Sequence, residues 1–255
     1  MSVGADTSAR ELEIALPDGR TLHAYDTGGS GAAVVWHHGT PNLGAPPRPL
    51  LALAAELGLR FVSFDRPAYG GSSPHPGRTI GSVALDTVAL ADALGLDTFA
   101  VMGHSGGGPH ALACAAAHAD RVSAAVSIAG LAPIDAAGLD WFDGFGPRGA
   151  AELRAAQGGP VARRQFDIEH PDSPIDFTAA DWAALEGPWG WLGEVAQAAM
   201  AQGVDGLVDD DVAYVTPWGV DLTRITAPVL LVHGDDDRAV PASHSAWLAE
   251  HLPGA

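Results

Sequence analysis

The sequence predicts an α/β fold, a mostly parallel sheet with helices on both faces. Three observations predict it. Apolar runs that do not alternate, such as Ala33-Val34-Val35-Trp36 and Val229-Leu230-Leu231-Val232, suit strands buried on both sides. Segments with apolar residues at helical spacing lie between such runs, so strand and helix alternate along much of the chain. At residues 99–117 an apolar run passes through a glycine-rich turn straight into an alanine-rich helix.

In order, residues 12–16 and 20–25 alternate apolar and polar around Pro17-Asp18-Gly19, which predicts an antiparallel hairpin. Residues 33–38 form the third strand after the loop Gly28-Gly29-Ser30-Gly31. Residues 49–58 carry Leu50, Leu51, Leu53, Ala54 and Leu57 at helical spacing, with Gly58 as the stop. A fourth strand follows at 60–64, an amphipathic helix at 80–94, and further strands at 98–103, 122–129 and 228–233. A last helix follows Pro241.

Between the sixth and seventh strands, residues 131–227 far exceed an ordinary connection and must have structure of their own. This divides the chain into a core, 1–130 and 228–255, and an inserted lid, 131–227. The insertion holds five of the seven tryptophans, Trp141, Trp182, Trp189, Trp191 and Trp218. These rings either line an apolar substrate pocket or form the core of a helical lid. With 16 acidic residues against five arginines, the insertion disfavours anionic substrates. Asp209-Asp210-Asp211 reads as a solvated turn or helix N-terminus, because consecutive residues cannot all face one ion.

A formal net charge of -18 argues against nucleic acid or an anionic membrane as partner. All 13 basic residues are arginine, which removes lysine Schiff-base chemistry. Cys114 is the single cysteine and reads as a small buried thiol. No run has the length of a signal-peptide core or a membrane span, so a cytoplasmic protein is expected. No cluster has zinc-ligand spacing, and neither metal nor cofactor is expected.

The chemistry centres on Gly103-His104-Ser105-Gly106-Gly107. A strand turning directly into a helix strains the turn residue, and small residues two before and two after it prevent clashes. The Ser105 hydroxyl is then held above the sheet as a nucleophile. The N–H of Gly106 points into the same space at a helix N-terminus, where an oxyanion is favoured. For the acid partner, spacing leaves Asp235, Asp236 and Asp237 open.

Four segments, each closing a strand, resemble together the α/β-hydrolase fold family: His38-Gly39-Thr40-Pro41, Asp65-Arg66-Pro67-Ala68-Tyr69-Gly70-Gly71-Ser72, the serine turn, and Gly234-Asp235-Asp236-Asp237-Arg238-Ala239-Val240-Pro241. The resemblance covers essentially the whole chain. It implies a second oxyanion donor at the N–H of Thr40, a mostly structural role for the Asp-Arg-Pro loop, and a triad acid at Asp237, with Asp135 a less favoured position. It also implies a lid at the long insertion, and acyl transfer without a cofactor.

In that family the histidine follows an eighth strand. This sequence ends with the helix after Pro241, so an eighth strand and final helix are expected to be missing. Of the histidines after Asp237, His244 is a weak candidate base and His251 lies some 10 Å further along the same helix. His38 and His104 are expected in supporting structure, and His37, His110 and His118 packed or at the surface. The expectation is a serine hydrolase acting on carboxylic esters of apolar character through a Ser105 acyl-enzyme, impaired in this 255-residue form. A seventh strand with an unpaired edge would favour a homo-oligomer. The alternatives are a non-catalytic binding protein, a carbon–carbon hydrolase, or a cofactor-free perhydrolase.

Overall fold

A computed structural model describes residues 9–171, 174–253 and 255. Its seven-stranded sheet comprises β1 (Arg10–Ala15), β2 (Thr21–Asp26), β3 (Ala32–His37), β4 (Leu59–Phe64), β5 (Phe99–His104), β6 (Val122–Ile128) and β7 (Val229–Val232), in the order β1-β2-β4-β3-β5-β6-β7. The hairpin strands pair antiparallel and β2 joins β4 antiparallel, whereas every pairing from β4 to β7 is parallel. Each strand lies within two residues of where the apolar runs predict it.

Alternation of side chains across the pleat gives the sheet two apolar faces. On one, Leu22, Val35, Val62 and Val101 pack under α2 (Ile80–Ala93), α3 (Gly107–Ala117) and α9 (Ala242–His251), which contribute Leu90, Leu112 and Leu248. On the other, Val34, Trp36 and Phe61 meet Ala54 of α1 (Leu51–Glu56). Helix α2 begins with a reciprocal cap, Thr79 Oγ1 accepting from Ser82 N–H and Ser82 Oγ from Thr79 N–H, which satisfies two otherwise free donors. Cys114 is buried in α3, and burial pushes its thiol up to about 12.

Residues between β6 and β7 form α4 (Pro147–Ala156), α5 (Pro160–Glu169), α6 (Ala179–Glu186), α7 (Gly190–Met200) and α8 (Asp205–Tyr214). These helices are not a detached cap. Helix α7 lays Trp191 and Val195 against Trp36 and Phe61, beside α1. The insertion's tryptophans divide by role. Trp141 and Trp218 are buried in a cluster with Ile80, Tyr214 and Val240, whereas Trp182 and Trp189 are 45% and 36% exposed.

The acidic triplet corrects the expectation of a solvated turn or helix N-terminus. Asp210 and Asp211 lie inside α8 and are buried, because arginines from distant segments meet them: Arg66 and Arg78 at Asp210, and Arg163 at Asp211. Burial pushes the Asp211 carboxyl up to about 7 despite the Arg163 guanidinium beside it.

The two edges of the sheet differ. Strand β1 exposes Arg10, Glu11 and Glu13, charges that discourage pairing with another chain. Strand β7 instead leaves Leu230 57% and Val232 45% exposed. We expect Leu230→Lys with Val232→Lys to weaken any self-association at least tenfold in sedimentation velocity. An unchanged profile from an associating wild type would exclude this edge as the contact. Among the described residues no helix is long and apolar enough to cross a membrane.

Candidate active site

Strand β5 delivers Ser105, and α3 starts two residues later. Ser105 sits at φ +51°, a left-handed conformation that costs a non-glycine residue roughly 1–2 kcal/mol. Its N–H donates to Ile128 O at 2.7 Å, and its carbonyl accepts from Gly108 N–H at 2.9 Å, so both flanks of the turn are tied down. The neighbouring glycines are required by contact. A Cβ on Gly103 would lie 2.1 Å from Gly107 O, and one on Gly107 would lie 2.0 Å from His37 O. The half-buried Ser105 has no side-chain hydrogen bond among the described residues, and it lies just before the start of α3, where helix N–H groups lack intrahelical partners.

The loop after β3 comes up beside this turn. His38 donates through Nδ1 to Gly39 O at 2.8 Å and accepts the Arg66 N–H at Nε2 at 3.0 Å, which fixes its tautomer. Burial and the Arg66 charge hold its pKa well below the usual imidazole range. Arg66 spans the loop from beneath, donating to His38 O, to Gly39 O at 3.0 Å and to Thr40 Oγ1 at 3.0 Å. Thr40 and Gly106, the two expected oxyanion donors, are neighbours: a Cβ on Gly106 would lie 2.6 Å from Thr40 Oγ1.

The hub of this region is Asp210 on α8, which sequence reading missed. It accepts from Arg66 Nη2 at 2.6 Å, Arg78 Nη2 at 2.7 Å, Tyr69 Oη at 2.9 Å and Thr40 Oγ1 at 2.6 Å. Burial alone would raise its pKa, but Arg66 and Arg78 hold it well below the carboxylate range. One turn later on α8, Tyr214 Oη lies 2.6 Å from Thr40 Oγ1 and donates to Gly106 O at 3.0 Å. The only sequence signal was the position of Arg66 in the Asp-Arg-Pro loop and of Asp210 in the acidic triplet.

Asp235 and Asp236 are exposed, whereas Asp237 is half-buried and bonded. Its Oδ1 accepts the N–H groups of Ala239 at 2.8 Å and Val240 at 3.0 Å, and its Oδ2 lies 3.5 Å from His233 Nε2. Burial opposes its charge, yet these contacts bring its pKa below the usual carboxylate value. Asp237 is close enough to His104, the residue before Ser105, to favour that ring's protonation, although burial prevails and lowers its pKa. Asp135 is exposed.

The histidines leave Ser105 without a bonded base among the described residues. His244 is buried; Nδ1 accepts from Ala132 N–H at 3.0 Å and Nε2 donates to Trp141 O at 3.0 Å, so neither nitrogen is left for Ser105. Burial lowers its pKa to about 4. His251 stacks on Trp247 at 4.0 Å on the far end of α9. His37 and His110 are buried and His118 is half-buried. His233, which sequence reading did not consider, is held by Ser245 Oγ at 2.6 Å and Val240 O at 2.8 Å. A cleft of about 540 Å³ lined by Trp218, Trp247 and His251 lies apart from the serine turn. Among the described residues no group of three or more His, Cys, Asp or Glu side chains could hold a metal ion.

Known proteins resemble this chain in sequence and fold. The chain is 32% identical over 241 residues to the non-heme chloroperoxidase of Streptomyces lividans, covering 91% of this chain and 84% of that protein. It is 28% identical to the non-heme haloperoxidase of Rhodococcus erythropolis, covering 89% of this chain and 83% of that one. Among solved structures, the enol-lactonase of Burkholderia xenovorans LB400 superposes with a TM-score of 0.70 at 22% identity, covering 96% of this chain and 89% of that one. The model of the alpha/beta hydrolase fold family matches residues 32–255, and the chain belongs to that family.

Proposed function

We propose that Ser105 is an acyl-accepting nucleophile and that the acyl-enzyme is opened by hydrogen peroxide or by water. The observation that carries this reading is the left-handed Ser105 at the start of α3, with Thr40 beside Gly106. Attack by Ser105 Oγ on an ester carbonyl forms a tetrahedral oxyanion, which the N–H groups of Thr40 and Gly106 stabilise by donating to it. Collapse expels the alcohol, whose oxygen takes up the proton that Oγ gave up on attack, and leaves the acyl group on Oγ. Hydrogen peroxide then adds to the acyl carbonyl, the C–Oγ bond breaks, Oγ regains a proton, and a peracid leaves. The peracid oxidises halide by two electrons and becomes the carboxylic acid. This order of events fits the names of the haloperoxidase relatives on a serine site, and with water in place of peroxide it is ester hydrolysis.

Asp237 is assigned as the acid that would orient an imidazole. The base itself is assigned to none of the described histidines. The acidic insertion favours uncharged acyl groups over anionic ones. The test is aryl acetate turnover by this chain with and without hydrogen peroxide, measuring carboxylate, peracid and bromide oxidation. Peracid that rises with peroxide, and that vanishes with Ser105→Ala, supports the perhydrolase reading. Serine-dependent hydrolysis without peracid reduces it to an esterase. Bromide oxidation that survives Ser105→Ala overturns it.

A further inference from the structure

The insertion reaches the serine turn through one helix, and that helix touches both expected oxyanion donors. Tyr214, the last residue of α8, is 3% exposed and places its hydroxyl between Thr40 and Gly106. Its Oη lies 2.6 Å from Thr40 Oγ1 and 3.0 Å from Gly106 O. There is no slack in the fit, since a Cβ on Gly106 would lie 2.1 Å from that hydroxyl.

We infer that Tyr214 is a positioning residue, a clasp by which the insertion sets the spacing between the peptide groups of Thr40 and Gly106. The inference rests on the reading of those two N–H groups as the oxyanion site. Two peptide groups from separate loops must both point at one oxygen; the β3–β5 ladder joins these loops as far as His37 and Gly103, and Thr40 lies three residues beyond that last pairing. No backbone hydrogen bond between the Thr40 loop and Gly106 is recorded among the described residues. Tyr214 is the side chain that bonds to both.

Proton accounting sets the direction of the clasp. Thr40 and Tyr214 have one hydroxyl proton each, and they serve three oxygen contacts: Thr40 to Asp210 at 2.6 Å, Thr40 to Tyr214 at 2.6 Å, and Tyr214 to Gly106 at 3.0 Å. With the Thr40 proton on the Asp210 carboxylate, the Tyr214 proton is shared between the two loops. Asp210, one helical turn earlier on the same face of α8, is fixed by Arg66 and Arg78, so the tyrosine is presented from a rigid base. The helix thereby acts as a fixed wall of the site and not as a flap over it.

The test is Tyr214→Phe, which removes one oxygen and keeps the ring. Amide hydrogen exchange at Gly106 and Thr40 should quicken at least tenfold, while that of Val35 in the sheet core stays as in wild type. Covalent labelling of Ser105 by a fluorophosphonate should slow about tenfold, less than the loss of a whole oxyanion donor. In ester turnover kcat should fall with KM within about twofold, the pattern of an interaction made in the transition state. Thr40→Val should reproduce these changes from the other side and Thr40→Ser should not, which covers a failure of Tyr214→Phe to fold. Unchanged exchange at Gly106 and Thr40 in both Tyr214→Phe and Thr40→Val overturns the clasp. Faster exchange in a protein whose wild type never labels leaves the clasp standing and overturns the hydrolase reading instead.

Discussion

Ser105→Ala is expected to lower ester and peracid turnover by about a thousandfold or more, with the melting temperature within a few degrees of wild type. The size follows from the nucleophile's role proposed for Ser105: without Oγ no acyl-enzyme would form, and only the binding and oxyanion contributions would remain. The stability expectation follows from the backbone. Ser105 is held at φ +51° by two main-chain hydrogen bonds that alanine also makes, and its side chain has no hydrogen bond to lose. Ser105→Gly should be equally inactive and more stable by about 1 kcal/mol, because glycine adopts this conformation without the steric cost. Chemical denaturation of the two variants separates loss of the hydroxyl from relief of strain.

Asp210→Asn is expected to cost about 3–5 kcal/mol, because it leaves the Arg66 and Arg78 guanidiniums buried without their shared carboxylate. That is a large part of a typical folding free energy, and the loss should show as a melting temperature lower by roughly 10 °C. The effect extends beyond stability, since Asp210 also accepts from Thr40 and Tyr69. The pH dependence has a definite sign. The folded carboxyl titrates well below its unfolded value of 3.8, so the native state binds fewer protons than the unfolded chain in that interval. The stabilisation from Asp210 is full above about pH 4 and is lost as pH falls through the depressed folded value. Asp210→Asn should therefore flatten the acid limb of a stability profile measured from pH 2 to 5. An unchanged limb would assign acid unfolding to other carboxyls.

The sheet was legible because parallel strands buried on both faces must be largely apolar, which residues 33–36 and 99–102 display without any partner being known. Ser105 was legible for a related reason. The closeness of Gly103, Ser105 and Gly107 in sequence is also the closeness that forces them to be small. Thr40 and Asp237 were reached through resemblance to a family, as spacing could not choose among Asp235, Asp236 and Asp237.

What stayed hidden are contacts between distant segments. Asp210 meets partners 144 and 132 positions earlier, so nothing local marks an acidic triplet as the centre of a buried network. Trp191 of α7 packs on Trp36, and so the insertion serves the sheet as well as the site. His233 is only four residues from Asp237, but its ring is held there by Ser245 of α9, a partner twelve positions later.

The central claim is that Ser105 is the reactive group of this molecule. Incubating the 255-residue chain with a fluorophosphonate and mapping the adduct by peptide mass spectrometry tests it without a substrate being known. The expected result is one adduct on Ser105, absent from Ser105→Ala. A protein that takes up no adduct after prolonged exposure, or takes it up on another residue, would contradict it.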